Sequence, residues 1–295
     1  MDKQPKITVI TASYNYENYI AEAITSVINQ TYSNWELIVV DDGSKDNSIQ
    51  VIQEFCRKDS RIKLITHENN INKGLPETIK LALSCATGEY VAFLESDDIW
   101  HKDNLSEKVK ALEKYNGADF IFNDVEYFGN PKAQNDMHLW EEKFVKTLLH
   151  EKDSNKILRS ELIANHVATF SCAMAKTEAL KECDFEAPFK PYLDWWLWSQ
   201  IFACGKVVYI NKKLTYWRKH EDSYIQTSKI DYSFRAKLAK LIFKNQKTLN
   251  FIYALINQKR IQKLFRPQVG RLNDILVDKM IKNSGTKLEF YTIVS

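Results

Sequence analysis

Four short, almost uninterrupted apolar segments, each followed by a polar turn and a helix-spaced apolar series, limit this chain to very few folds. Ile7–Ala12, Trp35–Val40, Arg61–Thr66 and Tyr90–Leu94 read as strands, and Ala118–Val125 as a fifth. Between them Ile20, Ile24, Val27 and Ile28 have helical spacing, as do Ile49, Ile52 and Phe55, with Ser44 as a plausible cap. Gly74–Ala86 and Leu105–Tyr115 are further helices, the second stopped by Gly117. Strands apolar at every position are those buried on both faces. The reading is therefore α/β: a mostly parallel central sheet with helices on both faces, whose ligands bind beyond the carboxyl ends of the strands. Residues 127–165 lose the rhythm and read as a lower-order insertion. Beyond Tyr224 the pattern becomes helical, giving a division into 1–224, with halves 1–125 and 126–224, and a helical C-terminal appendage over 225–295.

With 295 residues, 44% of them apolar and 27% charged, the chain can bury a large core and is not of a disordered class. Cys56, Cys85, Cys172, Cys183 and Cys204 form no C-x-x-C pair and suggest neither a disulfide framework nor a zinc site, which fits a reducing cytoplasm. No apolar leader is apparent at the N-terminus, and no apolar run approaches the roughly 20 residues that span a bilayer, so membrane association would be peripheral. The net charge of +3 hides an uneven distribution: Lys229–Arg271 carries +10, whereas residues 1–228 carry −7.

Acidic groups stand at the ends of strands or in loops: Asp41 and Asp42, then Glu95, Asp97 and Asp98, and finally Asp194. Asp-Asp-Gly-Ser alone is an ordinary turn, and Ser-Asp-Asp alone an ordinary helix cap. Together, after a Ser13-Tyr14-Asn15 loop, they crowd like charges at the ligand-binding edge of one sheet. A divalent cation is the simplest compensation, and oxygen ligands suit Mg²⁺ or Mn²⁺ that also holds phosphates.

These residues carry a resemblance. Thr11-Ala12-Ser13-Tyr14-Asn15, Val39-Val40-Asp41-Asp42-Gly43-Ser44, Asn72-Lys73-Gly74 and Thr87 to Asp98 follow the order of motifs in the family 2 glycosyltransferases, the inverting group with the GT-A fold. The resemblance implies that Ala12 and Tyr14 line a uracil-type base pocket, that Asp41 hydrogen-bonds the base, and that Asp42 and Lys73 lie near the donor. It places Asp97 at the metal-binding end of the D-x-D motif. Glu95 stands at the first acidic position, where Asp is commoner, with Ser96 between them. Its extra methylene moves that carboxylate by about 1.5 Å.

The segment Tyr192-Leu193-Asp194-Trp195-Trp196-Leu197-Trp198 resembles the family's Glu-Asp-x-x-Leu-Trp stretch, which implies Asp194 as the catalytic base. Leu193 replaces the usual preceding acid, so the basicity of Asp194 would depend on burial among the tryptophans. Trp195, Trp196 and Trp198 are open to two readings, an acceptor-stacking surface or core. Trp217 to Ser223 resembles the family's Arg-x-His-x-x-Ser segment, which implies that Arg218 neutralises phosphate and that His220 ligates the metal or hydrogen-bonds the leaving group. His67, His101, His138, His150 and His166 carry no motif.

The expected activity is thus metal-dependent, inverting transfer from a nucleotide-sugar donor, with UDP the expected nucleotide, to a saccharide or lipid-linked saccharide in surface-glycan assembly. A catalytically silent nucleotide-sugar binder and a metal-dependent nucleotidyltransferase are the competing readings, although the latter leaves the Asp194 and His220 segments unexplained. From Phe234 to Ile256 an apolar stripe runs beside Lys237, Lys240, Lys244 and Lys247. This basic helix suits an anionic membrane surface on the cytoplasmic face of the inner membrane, or equally packs on the body with its lysines in water. No nucleic-acid partner is expected, since the body is acidic and no binding motif is present.

Overall fold

In the computed structural model, which describes residues 4–129, 148–163, 165–186, 193–220 and 288–294, the sheet is built outward from β1 (Ile7–Ser13). β1 lies between β2 (Trp35–Asp41) and β4 (Tyr90–Phe93), parallel to both, and β3 (Ile62–Thr66) extends the sheet beyond β2, again parallel. Every residue of β2 and β4 is buried, Glu36 and Asp41 of β2 included. The remaining order is β4, β7 (Ala173–Lys176), β6 (Phe120–Gly129), β8 (Lys206–Lys219) and β5 (Ile99–Trp100), with β9 (Glu289–Val294) also on β8. β7 is antiparallel to both neighbours and β5 to β8, whereas the other five pairings are parallel, so the sheet is mostly parallel as expected.

Successive residues of a strand face opposite ways, and here each face has its own core. On one, Ile10, Val40, Phe93 and Phe120 pack with α3 (Leu75–Cys85), α5 (Ser154–Ile163) and α7 (Leu193–Cys204). On the other, Val9, Val39, Ala92 and Ile121 pack with α1 (Ile20–Ile28), α2 (Ser48–Lys58) and α4 (Asn104–Lys114). A short α6 (Thr177–Lys181) follows β7.

Three expectations are corrected. Ser44 does not cap α2. Asn47 holds the N-cap place, and the Ser44 hydroxyl instead donates to Asp41 at 2.6 Å, a nearer and charged acceptor. Tyr127–Gly129, read as the start of an insertion, continue β6 alongside Trp217–Lys219 of β8, and α5 forms later in the same region. The end of the supposed helical appendage is β9, whose Phe290, Tyr291, Thr292, Ile293 and Val294 are aromatic or β-branched and pair in parallel with Val207–Asn211. The basic stretch 229–271 lies outside the described residues. Gly117 does stop α4: it adopts φ +79°, and its N–H reaches back to the Leu112 carbonyl at 2.8 Å. No helix among the described residues is long and apolar enough to cross a membrane.

Trp198, fully buried, packs its ring 4.7–5.5 Å from those of Phe93, Phe120 and Phe170, and so joins α7 to three parts of the sheet region. Trp198→Ala should lower unfolding free energy by about 3–5 kcal/mol in urea titration, the cost of a large aromatic cavity.

Candidate active site

The carboxyl ends of β1 and β2 are tied together by polar groups. Asp41, closed off from water, accepts from the Gly43 and Ser44 N–H groups at 3.1 and 2.8 Å and from the Ser44 hydroxyl. That hydroxyl accepts in turn from the Asn15 N–H at 2.9 Å, and the Asn15 side chain accepts from the Lys45 N–H at 2.8 Å. Asp42 accepts from the Lys73 and Gly74 N–H groups at 2.7 and 2.9 Å, fixing the loop that enters α3. Gly43 is required where it stands: its φ is +83°, and a Cβ would lie 2.8 Å from the backbone of both Asn70 and Asn72. Both carboxylates therefore shape the loops. The side chains those loops leave open are Tyr14, 44% exposed, together with Lys73 and Ile71. Ala12 is partly open at the end of β1. The oxygens of Asp41 point into its own turn, away from water.

The acidic loop follows β4. The Glu95 N–H donates to the Ser171 hydroxyl at 2.9 Å, and that hydroxyl donates to Asp98 Oδ2 at 2.6 Å. The Thr169 hydroxyl donates to the Glu95 carboxylate, and Asp98 Oδ1 accepts from the Arg218 N–H at 3.0 Å. Asp98 and Ser96 are buried. Burial, reinforced by neighbouring carboxylates, pushes Glu95 well above the usual carboxylate range and Asp98 up to about 8. Asp97 is turned differently: its Oδ2 lies 2.9 Å from His220 Nε2.

Arg218 braces this loop. Its Nε donates to the Asp97 carbonyl at 2.8 Å, its terminal nitrogen meets Glu22 at 2.6 Å, and the guanidinium lies over Tyr19 and Phe128 at 4.9 and 4.4 Å. The imidazole of His220 sits 5.0 Å from the Tyr19 ring. The next cation, Lys219, is pushed down to about 8 by burial.

A divalent ion fits these donors in one way. Among the described residues no group of three or more His, Cys, Asp or Glu side chains forms a metal cage. Asp97 and His220 nevertheless present a carboxylate oxygen and an imidazole nitrogen to each other, which suits Mn²⁺ or Mg²⁺ with phosphate oxygens and water in the remaining positions.

Asp194, at the start of α7, belongs to the same region, since its charge acts on Glu95. Its Oδ2 accepts from Asn165 Nδ2 at 2.8 Å, and burial raises it to about 7. Leu193, in the place of the family's usual acid, is buried in the core. Trp196 and Trp198 are core residues, 1% and 0% exposed, so neither can stack on a ligand. Trp195 is partly open and donates its indole N–H to the Glu161 carbonyl at 2.7 Å.

Asp42, Asp97, Arg218 and His220 are thus joined to the loops at the strand ends, with Asp194 nearby. Sequence reasoning passed over Thr169 and Ser171, which hold the acidic loop, and over Asn165 and Glu161, which neighbour Asp194. The one signal was a pair of hydroxyl residues interrupting an apolar stretch.

The sequence and the fold match known proteins. A family model described as "Glycosyl transferase family 2" matches residues 8–184. The chain is 34% identical over 205 residues to the Escherichia coli "UDP-Glc:alpha-D-GlcNAc-diphosphoundecaprenol beta-1,3-glucosyltransferase WfgD", covering 70% of this chain and 73% of that one. Among solved structures, Staphylococcus aureus TarS 1–349 in complex with UDP-GlcNAc superposes with a TM-score of 0.63 at 20% identity, covering 90% of this chain and 75% of that one. The mannosyltransferase PcManGT from Pyrobaculum calidifontis, in complex with GDP-Man and Mn²⁺, gives 0.59 at 17% identity over 97% and 77%. These neighbours share the GT-A fold. The chain belongs to the glycosyltransferase family 2.

Proposed function

We propose that this glycosyltransferase moves a sugar, with inversion, from a UDP-sugar to a saccharide hydroxyl on a lipid-linked acceptor. The observation that carries the reading is the pairing of one buried, basic carboxylate, Asp194, with the acidic loop whose Asp97 faces His220. Donor and acceptor classes are supported by the Escherichia coli relative, whose description names UDP-Glc and a diphosphoundecaprenol acceptor. The +10 stretch Lys229–Arg271 suits the anionic surface in which such an acceptor lies, which would make the protein peripheral on the cytoplasmic face.

In the reaction Asp194 takes the proton of the acceptor hydroxyl as its oxygen attacks the anomeric carbon. The bond from that carbon to the diphosphate oxygen breaks, and the electron pair leaves with UDP. A single displacement needs one base and inverts the centre. Asp97 and His220 would hold the divalent ion, which when bound supplies positive charge against the departing diphosphate. Arg218 would add a second cation by exchanging Glu22 for phosphate, while Tyr14 and Lys73 would meet the nucleotide. Asp41 and Asp42 act by holding the loops that present them. Glu95 and Ser96 form the body of the acidic loop.

Asp194→Asn should cut nucleotide release in the presence of acceptor by about 10²–10⁴-fold, the usual contribution of a general base, while UDP affinity by calorimetry stays unchanged. Turnover without loss in this variant removes Asp194 from the mechanism, and UDP binding without turnover in the unaltered protein supports a silent binder. A base raised to about 7 is protonated and inactive below that pH, so kcat/KM should rise about tenfold per pH unit up to about 7 and then level off. Chelation should abolish release. Asp97→Asn and His220→Ala should each weaken Mn²⁺ binding to the UDP complex by about 10–100-fold in calorimetric titration.

A further inference from the structure

A carboxylate that takes a proton needs one oxygen held and the other offered. Around Asp194 the Trp195 backbone N–H and one side chain do the holding: the Asn165 amide donates from Nδ2 to Oδ2 at 2.8 Å. The orientation of that amide is fixed by its other end, where Oδ1 accepts from the Val167 N–H at 3.1 Å in a tight Asx turn. His166, between them, is anchored twice to one oxygen of Glu161, through its backbone N–H at 2.9 Å and its Nδ1 at 2.8 Å, with both side chains closed off from water. The Glu161 carbonyl in turn accepts the indole N–H of Trp195. One residue of α5 therefore grips both the segment that carries Asn165 and the residue that follows Asp194. The two partners of the 2.8 Å bond cannot drift apart independently.

We propose that Asn165 is the side chain that positions Asp194: its amide pins Oδ2 and favours the ionised carboxylate that receives the acceptor's proton. This rests on the reading of Asp194 as base. The physical need is plain from the surroundings. Burial favours the protonated acid, and so does the like charge of Glu161 from α5. A hydrogen bond donated to the anion opposes them. An amide cannot ionise, so this donor is present at every pH, unlike that of a histidine or lysine.

The test is carbon-13 NMR titration of the full chain labelled at the aspartate carboxyl, with the Asp194 signal identified by its loss in Asp194→Asn. In Asn165→Ala the midpoint should rise by about one pH unit, a tenfold gain in proton affinity. In Asn165→Asp, which keeps the side-chain shape and the bond from Val167, it should rise at least as far, because a second carboxylate then faces the first. The isosteric variant keeps the test independent of any folding defect in the alanine variant. The pH profile of UDP release from UDP-glucose with Mn²⁺, water serving as acceptor, should move by the same amount. Midpoints that stay in place in both Asn165 variants, with release lost in Asp194→Asn, overturn the role of Asn165 alone. Release that survives intact in Asp194→Asn overturns the base reading and the positioning role with it.

Discussion

Glu95, Asp97 and Asp98 place three carboxyl groups within four positions, and Asp98 is wholly out of water. Such crowding is tolerable only if each charge is met by a donor or a cation, or is neutralised by a proton. Much of the chain's second half serves that need. Ser171, 76 residues from Glu95, joins both ends of the loop through one hydroxyl, while its carbonyl accepts from the Trp100 indole and the Thr215 hydroxyl. Arg218, 120 residues from Asp98, supplies its backbone N–H to that carboxylate and its guanidinium to the carbonyl of Asp97. The antiparallel β7, the 3₁₀ turn Phe170–Cys172 before it and the end of β8 are placed where they can do this. A loop so held keeps Asp97 free of the others and facing His220.

The same economy governs the other end of the sheet. Asp41 and Asp42 spend their oxygens on backbone N–H groups, so the loops after β1 and β2 and the entry to α3 form one connected edge. Carboxylates used this way stiffen the rim at the strand ends, beside which Tyr14 and Lys73 stay exposed. Asp194 faces a different balance, in which burial and the neighbouring Glu161 raise its proton affinity while the Trp195 backbone N–H and the Asn165 amide limit the rise. The rim is rigid because its charges are satisfied.

The alternation of apolar strands and helix-spaced segments, set by local sequence, determined the α/β class, the positions of β1 to β4 and α1 to α4, and the edge at which ligands bind. The motifs around Asp41, Asp97, Asp194 and His220 were legible through their resemblance to a family's motifs, each a short stretch of neighbouring residues at or near the end of a strand or helix. What sequence could not carry was everything set by packing at a distance. Ser44 chose Asp41 over the helix end because the folded turn puts a charged oxygen 2.6 Å away. Trp196 and Trp198 were assigned to the core by the direction in which α7 lies on the sheet, and β9 by a free strand edge on β8. Thr169, Ser171 and Asn165 owe their roles to carboxylates 74, 73 and 29 residues away. Periodicity and turn chemistry act between near neighbours and can be read along the chain, whereas the partner of a buried charge is decided by which distant segment the closed sheet brings against it.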